Sequence, residues 1–175
     1  MTLLKRRNKN VRTLLGAAVI ATALTVSASP VVAADCQTAT GKGALTLVPA
    51  PNDPLGRLVG PTIGSLKAAV SSILTSLAPN PNGSLHATTV ETWVLGPQDI
   101  LQFAGDATFT PVPGAPIGTV SDSLTLTVVG GSGKYVGATG TLNVTGTGYN
   151  LFGPNAGPGS SFFDVRYSGF ICQAN

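Results

Sequence analysis

Charged and aromatic residues are scarce in this chain of 175 residues, at 10% and 6% of the sequence. It contains one histidine, His86, and two cysteines, Cys36 and Cys172, which lie far apart. Because one histidine and two distant cysteines do not form a zinc ligand set, we expect no bound metal and no cofactor. Any Ser/His/Asp triad would have to use His86, which lies in a strand-like segment and is better explained as a structural residue.

Nucleotide-binding and hydrolase motifs are also missing. The glycine-rich stretch 130–140 lacks the earlier glycine of a P-loop, and Tyr135 follows Lys134 where a P-loop has Ser or Thr. It also lacks the third glycine of a dinucleotide fingerprint, and the chain has no Gly-x-Ser-x-Gly nucleophile elbow. These absences disfavour phosphate binding and α/β-hydrolase chemistry.

The start of the chain has the pattern of a cleaved secretory signal. Basic residues are followed by an apolar segment, 14–26, and then by small residues up to Ala34. This pattern predicts cleavage after Ala33 or Ala34 and a secreted, extracellular protein. A retained membrane anchor is the alternative, although the apolar segment is short for a span. We therefore expect a signal peptide, 1–34, and a single domain, 35–175.

Export changes what the charge and the cysteines indicate. Without the predicted signal, five basic residues stand against seven acidic ones, and no basic stripe with interleaved aromatic residues remains. We therefore expect no nucleic acid partner, and no membrane partner once the signal is cleaved. In an oxidising compartment Cys36 and Cys172 are expected to form a disulfide between the two ends of the domain, with two free thiols as the alternative.

Alternation of apolar and polar residues predicts β-strands along most of the domain. Strand-like runs lie at 43–48, 85–95, 100–110, 119–129, 134–148 and 161–172. Six or more antiparallel strands in one domain favour a closed barrel or a sandwich. The one long segment without a strand pattern in this part is 149–160. Its Leu151 and Phe152 either fold over a barrel mouth as a lid or are tucked into a plain surface loop.

Apolar residues change to helical spacing between residues 61 and 77. They are Ile63, Leu66, Val70, Ile73, Leu74 and Leu77. Pro61 suits a first helical turn, and the turn residues at 80–83 would end the helix. We therefore predict an amphipathic helix at about 61–77 that packs on the sheet or closes one end of a barrel. A membrane-surface helix is the alternative, but Lys67 is its only charge.

The stretch 130–140, Gly-Gly-Ser-Gly-Lys-Tyr-Val-Gly-Ala-Thr-Gly, resembles the hairpin motif of the allene oxide cyclase and dirigent barrel superfamily. The order of strands is similar over about 85–172, most of all to exported bacterial members. The resemblance implies an all-β, closed antiparallel barrel of about eight strands, with an apolar lumen and often an oligomeric state. It implies function only broadly, because members cyclise fatty-acid epoxides, steer phenoxy-radical coupling or have no assigned role. The predicted helix departs from the family pattern.

Polar residues on apolar strand faces are the candidates for chemistry inside such a lumen. Glu91 shares a face with Trp93, and Asp122 shares one with Leu124 and Leu126. Burial would raise the pKa of either carboxyl group, so Glu91 and Asp122 are the candidate catalytic acid/base residues. The candidate ligand-binding residues are Trp93, Tyr135, Tyr167 and Phe152. The alternative for Glu91, Asp122, Tyr135 and Tyr167 is a structural role, either at the rim of the barrel or as a core group whose hydrogen bonds are satisfied.

Two functions are compatible with these features. The first is a secreted barrel that binds an apolar small molecule in its lumen and guides a cyclisation or isomerisation. The second is a non-catalytic secreted or cell-envelope interaction protein, and either can be a homo-oligomer. A wide lumen with a buried carboxylate favours the first, whereas a lumen packed solid with side chains favours the second.

Overall fold

The computed structural model describes residues 35–53 and 55–174, so the predicted signal peptide lies outside the described residues. Its strands are β1 (Asp35–Val48), β2 (Arg57–Gly64), β3 (Ala68–Pro79), β4 (Leu85–Val94), β5 (Ile100–Pro111), β6 (Val120–Ser132), β7 (Thr139–Tyr149) and β8 (Phe162–Gln173). Each strand pairs antiparallel with the next, and β8 pairs with β1, which closes the sheet. The prediction of an all-β, closed antiparallel barrel of about eight strands is confirmed.

Strict alternation of side chains fills the interior of this barrel. On β5, Leu101, Phe103 and Ala107 are buried inside, while Gln102 and Asp106 are exposed outside. Successive residues of a strand point to opposite faces, so a run with period two places one face in the lumen. An eight-stranded barrel is just wide enough for its inward side chains to fill it. Within the described residues, no helix reaches the length and apolarity needed to cross a bilayer.

The prediction of a helix at about 61–77 is wrong, because this segment is the end of β2, a tight turn and most of β3. Inward positions are Thr62 on β2 and Val70 and Ser72 on β3, while Ile63 points outward and is 51% exposed. The apparent helical spacing arises because the apolar residues belong to two strands, each with its own alternation of inward and outward side chains, that are joined by a three-residue turn. Gly64 marks the break, since its φ of +128° lies where side chains are rarely tolerated.

The glycine-rich stretch is the corner between β6 and β7, as predicted. A 3-10 helix, Gly133–Tyr135, is the only helical element in the described part of the chain, and it delays β7 until Thr139. Gly133 takes a φ of +59°, and the next backbone N–H, that of Lys134, donates to Asp99 Oδ1 at 3.2 Å. The corner is therefore fixed by the neighbouring β4–β5 turn as well as by its own glycines.

The two ends of the barrel differ. We call the end with turns 65–67, 95–99 and 133–138 the turn end, and the end with loops 80–84, 112–119 and 150–161 the loop end. At the turn end, Cys36 on β1 and Cys172 on β8 are partners in the ladder and form a disulfide with an S–S length of 2.05 Å. The predicted disulfide is confirmed, and it is compatible with an oxidising, extracellular environment.

Candidate functional site

Two carboxyl groups lie inside the barrel. Glu91 on β4 is 3% exposed and Asp122 on β6 is 5% exposed, although a charged side chain is rarely buried so fully. Both occupy inward positions of their strands, and the intervening strand β5 presents Gly105 between their neighbours Thr89 and Leu126. A side chain at Gly105 would collide with the Thr89 hydroxyl. The glycine therefore leaves room in the lumen for the side chains of Thr89, Leu124 and Leu126.

The environment raises the pKa of both groups. Desolvation by burial raises the pKa of Glu91, and a hydrogen bond from Trp93 Nε1–H to Glu91 Oε2, at 2.8 Å, opposes this. Ser72, the ladder partner of Glu91 on β3, lowers this pKa least, because its hydroxyl lies near the carboxyl group without forming a hydrogen bond of good geometry to it. Burial, and to a lesser degree repulsion by the Glu91 carboxylate, raises the pKa of Asp122 to about 7. Asp122 is therefore poised to exchange a proton near neutral pH.

These groups line a small cavity of about 30 Å³, which we call the inner chamber. It is lined by Leu45, Leu58, Thr62, Val70, Ser72, Leu74, Thr89, Glu91, Trp93, Ala107, Phe109, Asp122, Leu124, Leu126, Val144, Phe163, Val165 and Tyr167. A volume of this size holds about two water-sized groups. Among the described residues, the buried side-chain oxygens without a hydrogen-bond partner are Ser72 Oγ, Thr89 Oγ1 and Asp122 Oδ1, and all three residues belong to this lining.

A larger apolar cavity, the mouth pocket, lies at the loop end and has a volume of about 300 Å³. Its lining consists of Leu47, Leu55, Leu58, Leu74, Leu77, Phe109, Leu151, Phe152 and Phe163. Loop 150–161 is fastened over it by backbone bonds, since Leu151 N–H donates to Gly118 O at 3.0 Å and Gly159 N–H donates to Leu47 O at 2.8 Å. The structure thus places Leu151 and Phe152 at the barrel mouth.

A thin apolar partition separates the two cavities. Leu58, Leu74, Phe109 and Phe163 line both of them, and the ring centroids of Phe109 and Phe163 are 5.8 Å apart. Turning either ring aside would join the mouth pocket to the inner chamber. The mouth pocket is the only one of the two with room for a ligand of several carbon atoms.

Tyr167 closes the chamber on the side of the turn end. Its hydroxyl donates to Leu66 O at 2.9 Å and accepts from Leu66 N–H at 3.0 Å, and its ring packs edge-on against Trp93 with centroids 5.3 Å apart. The Tyr167 hydroxyl is therefore engaged with the 65–67 turn, while its ring forms part of the chamber wall. Thr62 Oγ1 also donates to Leu66 O, at 2.9 Å, so this turn is firmly held.

The structure brings together only some of the predicted site residues. Glu91, Trp93, Asp122 and Tyr167 share the inner chamber, and Phe152 lies at the mouth pocket. Tyr135 is buried at the turn end beside Leu66, in a separate cavity of about 130 Å³. His86 lies on the outer wall, where its Nε2 is 2.9 Å from Asp106 Oδ2, consistent with the structural role expected for it.

Four residues of the chamber were not predicted from the sequence. They are Ser72 and Thr89, which carry hydroxyls, and Phe109 and Phe163, which form the partition. Thr89 is two residues before Glu91 on the same strand, so the period that indicated Glu91 would also have indicated Thr89. Ser72 was hidden because its strand was assigned as a helix. Phe109 and Phe163 carry no sequence signal for a partition, because their contact joins β5 to β8 across the lumen.

Comparison of the chain with protein-family models, with curated proteins and with solved structures finds no match.

Proposed function

We propose that this protein is exported and binds an apolar small molecule at the loop end of its barrel. The observation that carries the proposal is the apolar mouth pocket of about 300 Å³, which adjoins a chamber holding two buried carboxyl groups. This volume lies at the lower end of the range of ligand pockets, roughly 300–1,000 Å³. A ligand that filled it would contact Leu77, Leu151 and Phe152 and would lie against the Phe109–Phe163 partition.

Glu91 and Asp122 are proposed as the acid/base pair that guides a cyclisation or isomerisation of this ligand. A carboxyl group with a pKa of about 7 can both give and take a proton near neutral pH, which is what general acid–base catalysis requires. The inner chamber is too small for a whole ligand. The reacting group would therefore have to reach past the partition while the rest of the ligand stayed in the mouth pocket.

Membership of the allene oxide cyclase and dirigent barrel superfamily is part of this proposal. The glycine corner at 130–140 and the closed eight-stranded barrel support it, and both are what the resemblance implies. The signal-like start of the chain and the Cys36–Cys172 disulfide support export.

A second candidate is a non-catalytic interaction protein, which can be a homo-oligomer. The observation in its favour is the exposure of apolar side chains on the outer wall, where Ile63, Val90 and Val94 are all more than two-fifths exposed. Apolar side chains that remain in contact with solvent supply the buried area of an interface when a partner covers them. The small volume of the inner chamber also favours this candidate, because most of the lumen is packed with side chains.

Native mass spectrometry of the protein from residue 35 onward, with a panel of lipids and phenolics, tests the first candidate. We expect retention of at least one apolar compound, and loss of retention in Leu77→Trp, which places an indole in the mouth pocket. Val129→Trp is the matched control, because Val129 is 63% exposed on the outer wall. If no compound is retained, or if Leu77→Trp retains it as well as the control does, the proposed binding site is wrong.

A further inference from the structure

We infer that the inner chamber recognises a primary amine, so that the ligand is an apolar chain or ring system ending in an ammonium group. This inference rests on the proposed function, because the apolar part of the ligand would occupy the mouth pocket. It adds the chemistry of the polar end, which the mouth pocket alone does not specify.

Three unpartnered oxygens in one small chamber match the donors of an ammonium group. Ser72 Oγ, Thr89 Oγ1 and Asp122 Oδ1 are buried in the chamber lining and have no hydrogen-bond partner among the described residues. Each can accept a hydrogen bond, and a primary ammonium has three N–H donors and no acceptor. Since buried polar atoms are nearly always paired in folded proteins, these oxygens require a donor among them, which water supplies in the free protein and the ligand supplies in the complex.

The charge of the chamber selects a cation. Its lining comes from all eight strands, and the residues in it that can ionise are Glu91, Asp122 and Tyr167. No lysine, arginine or histidine of residues 35–53 and 55–174 belongs to the lining. A carboxylate formed here has no positive partner from the protein, so an ammonium ion would supply the missing counter-charge. A fatty acid, whose carboxylate would face Asp122, is disfavoured by repulsion between like charges.

The size of the chamber selects a primary amine over a bulkier cation. A cavity of about 30 Å³ holds about two water-sized groups, which suits an NH₃⁺ group and the carbon that bears it but not a trimethylammonium. The partition formed by Phe109 and Phe163 is apolar, so the amine would cross it in its neutral form. Its nitrogen lone pair then takes the carboxyl proton of Asp122, which leaves an ammonium ion and a carboxylate side by side.

Four ligands with the same straight alkyl chain test this inference: decylamine, decanol, decanoic acid and decyltrimethylammonium. Their binding to the protein from residue 35 onward is measured by titration calorimetry, with native mass spectrometry as a check on stoichiometry. We expect decylamine to bind at least about tenfold more tightly than decanol, because a charge-assisted hydrogen bond is roughly twice as strong as a neutral one. Decanoic acid and decyltrimethylammonium should bind most weakly.

Two variants locate the amine. Asp122→Asn removes the carboxylate and Thr89→Val removes one acceptor, and both conserve side-chain shape. We expect both to weaken decylamine binding more than decanol binding, and Asp122→Asn to weaken decylamine binding by about tenfold or more. Asp106→Asn is the matched control, because that carboxylate is 70% exposed on the outer wall. Decylamine binding to the wild type should also weaken as the pH falls below about 7, since Asp122 then keeps its proton.

The possible outcomes separate the two proposals. Equal affinities for decylamine and decanol, or unchanged decylamine binding in folded Asp122→Asn, would overturn the amine inference and leave the apolar ligand site standing. If none of the four ligands binds, this inference and the proposed function both fail for straight-chain ligands. Binding of all four that is insensitive to Leu77→Trp would place them outside the mouth pocket and overturn both.

Discussion

Trp93 donates a hydrogen bond from its indole N–H to Oε2 of Glu91 at 2.8 Å, although the two residues are only two positions apart on β4. Alternate residues of a strand share a face, so both side chains project into the lumen and can meet there. The bond engages one carboxyl oxygen and leaves the group as part of the chamber lining. Strand β4 thus supplies both the buried carboxyl group of Glu91 and the indole donor that opposes the rise of its pKa on burial.

Replacing Trp93 by Phe should raise the pKa of Glu91 further, because the donor that lowers this pKa is lost. It should also lower the free energy of unfolding by about 1–3 kcal/mol, since a buried acceptor loses its partner. Infrared titration of the carboxyl band and urea unfolding followed by circular dichroism measure the two effects. Glu91→Gln identifies the band. An unchanged titration of Glu91 in Trp93→Phe would show that the indole does not stabilise its ionised form.

We expect Asp122 to contribute more stability to the folded protein in acid than at neutral pH. Its pKa is raised from 3.8 in the reference state to about 7 in the barrel, so the folded state holds a proton that the unfolded chain has released between these values. The stability that this proton contributes is fully present below about pH 4 and is lost as the pH rises through about 7. Integrated over that range, the loss amounts to about 4 kcal/mol. Burial of Glu91 acts in the same direction.

Urea unfolding at a series of pH values measures this dependence directly. The wild type should lose stability between about pH 4 and about pH 8, and Asp122→Asn should lose markedly less. Asp164→Asn, which changes an exposed carboxylate on β8, should follow the wild-type curve. A flat wild-type curve, or a dependence that Asp122→Asn retains in full, would contradict the assignment of a raised pKa to Asp122.

Tyr167→Phe should destabilise the 65–67 turn, while the aromatic ring at position 167 still fills its place in the lumen. The change removes the hydroxyl that bonds both to Leu66 O and to Leu66 N–H, and we expect the free energy of unfolding to fall by about 1–3 kcal/mol. Hydrogen exchange should accelerate at the 65–67 turn more than elsewhere. The matched variant is Tyr149→Phe, whose half-buried ring stacks on Phe162 at the loop end. Equal exchange at this turn in both variants would argue against a closing role for Tyr167.

The double variant Cys36→Ala, Cys172→Ala lacks the disulfide. In the chain-entropy model its free energy of unfolding should be lower by about 5 kcal/mol, because the disulfide closes a long loop in the unfolded chain. Urea unfolding compares the double variant with the oxidised wild type, and reduced wild type serves as the control that keeps both sulfurs. A loss below about 1 kcal/mol would mean that the unfolded chain is already compact enough for the cross-link to matter little.

The sequence predicted best where one strand face is apolar and the other polar. From Leu85 to Ser132 the period of two gave the strands and the inward direction of Glu91 and Asp122. It failed at 61–77, where Gly64 and a three-residue turn join strands of different phase and imitate a helical stripe. The size of the inner chamber could not be predicted, because it depends on how rings from distant strands, such as Phe109 and Phe163, meet across the lumen.

The closure between β1 and β8 makes the order of strands circular. Cys36 and Cys172 face each other in that ladder, so the first and last strands are joined both by ladder hydrogen bonds and by a disulfide. A short linker between the ends of β8 and β1 would turn this closure into one more turn. A circular permutant opened within loop 112–119 would then keep all eight strand pairings and the same chamber. The fold is therefore defined by which strands are neighbours around the barrel, and any of the eight strands could come first in the chain.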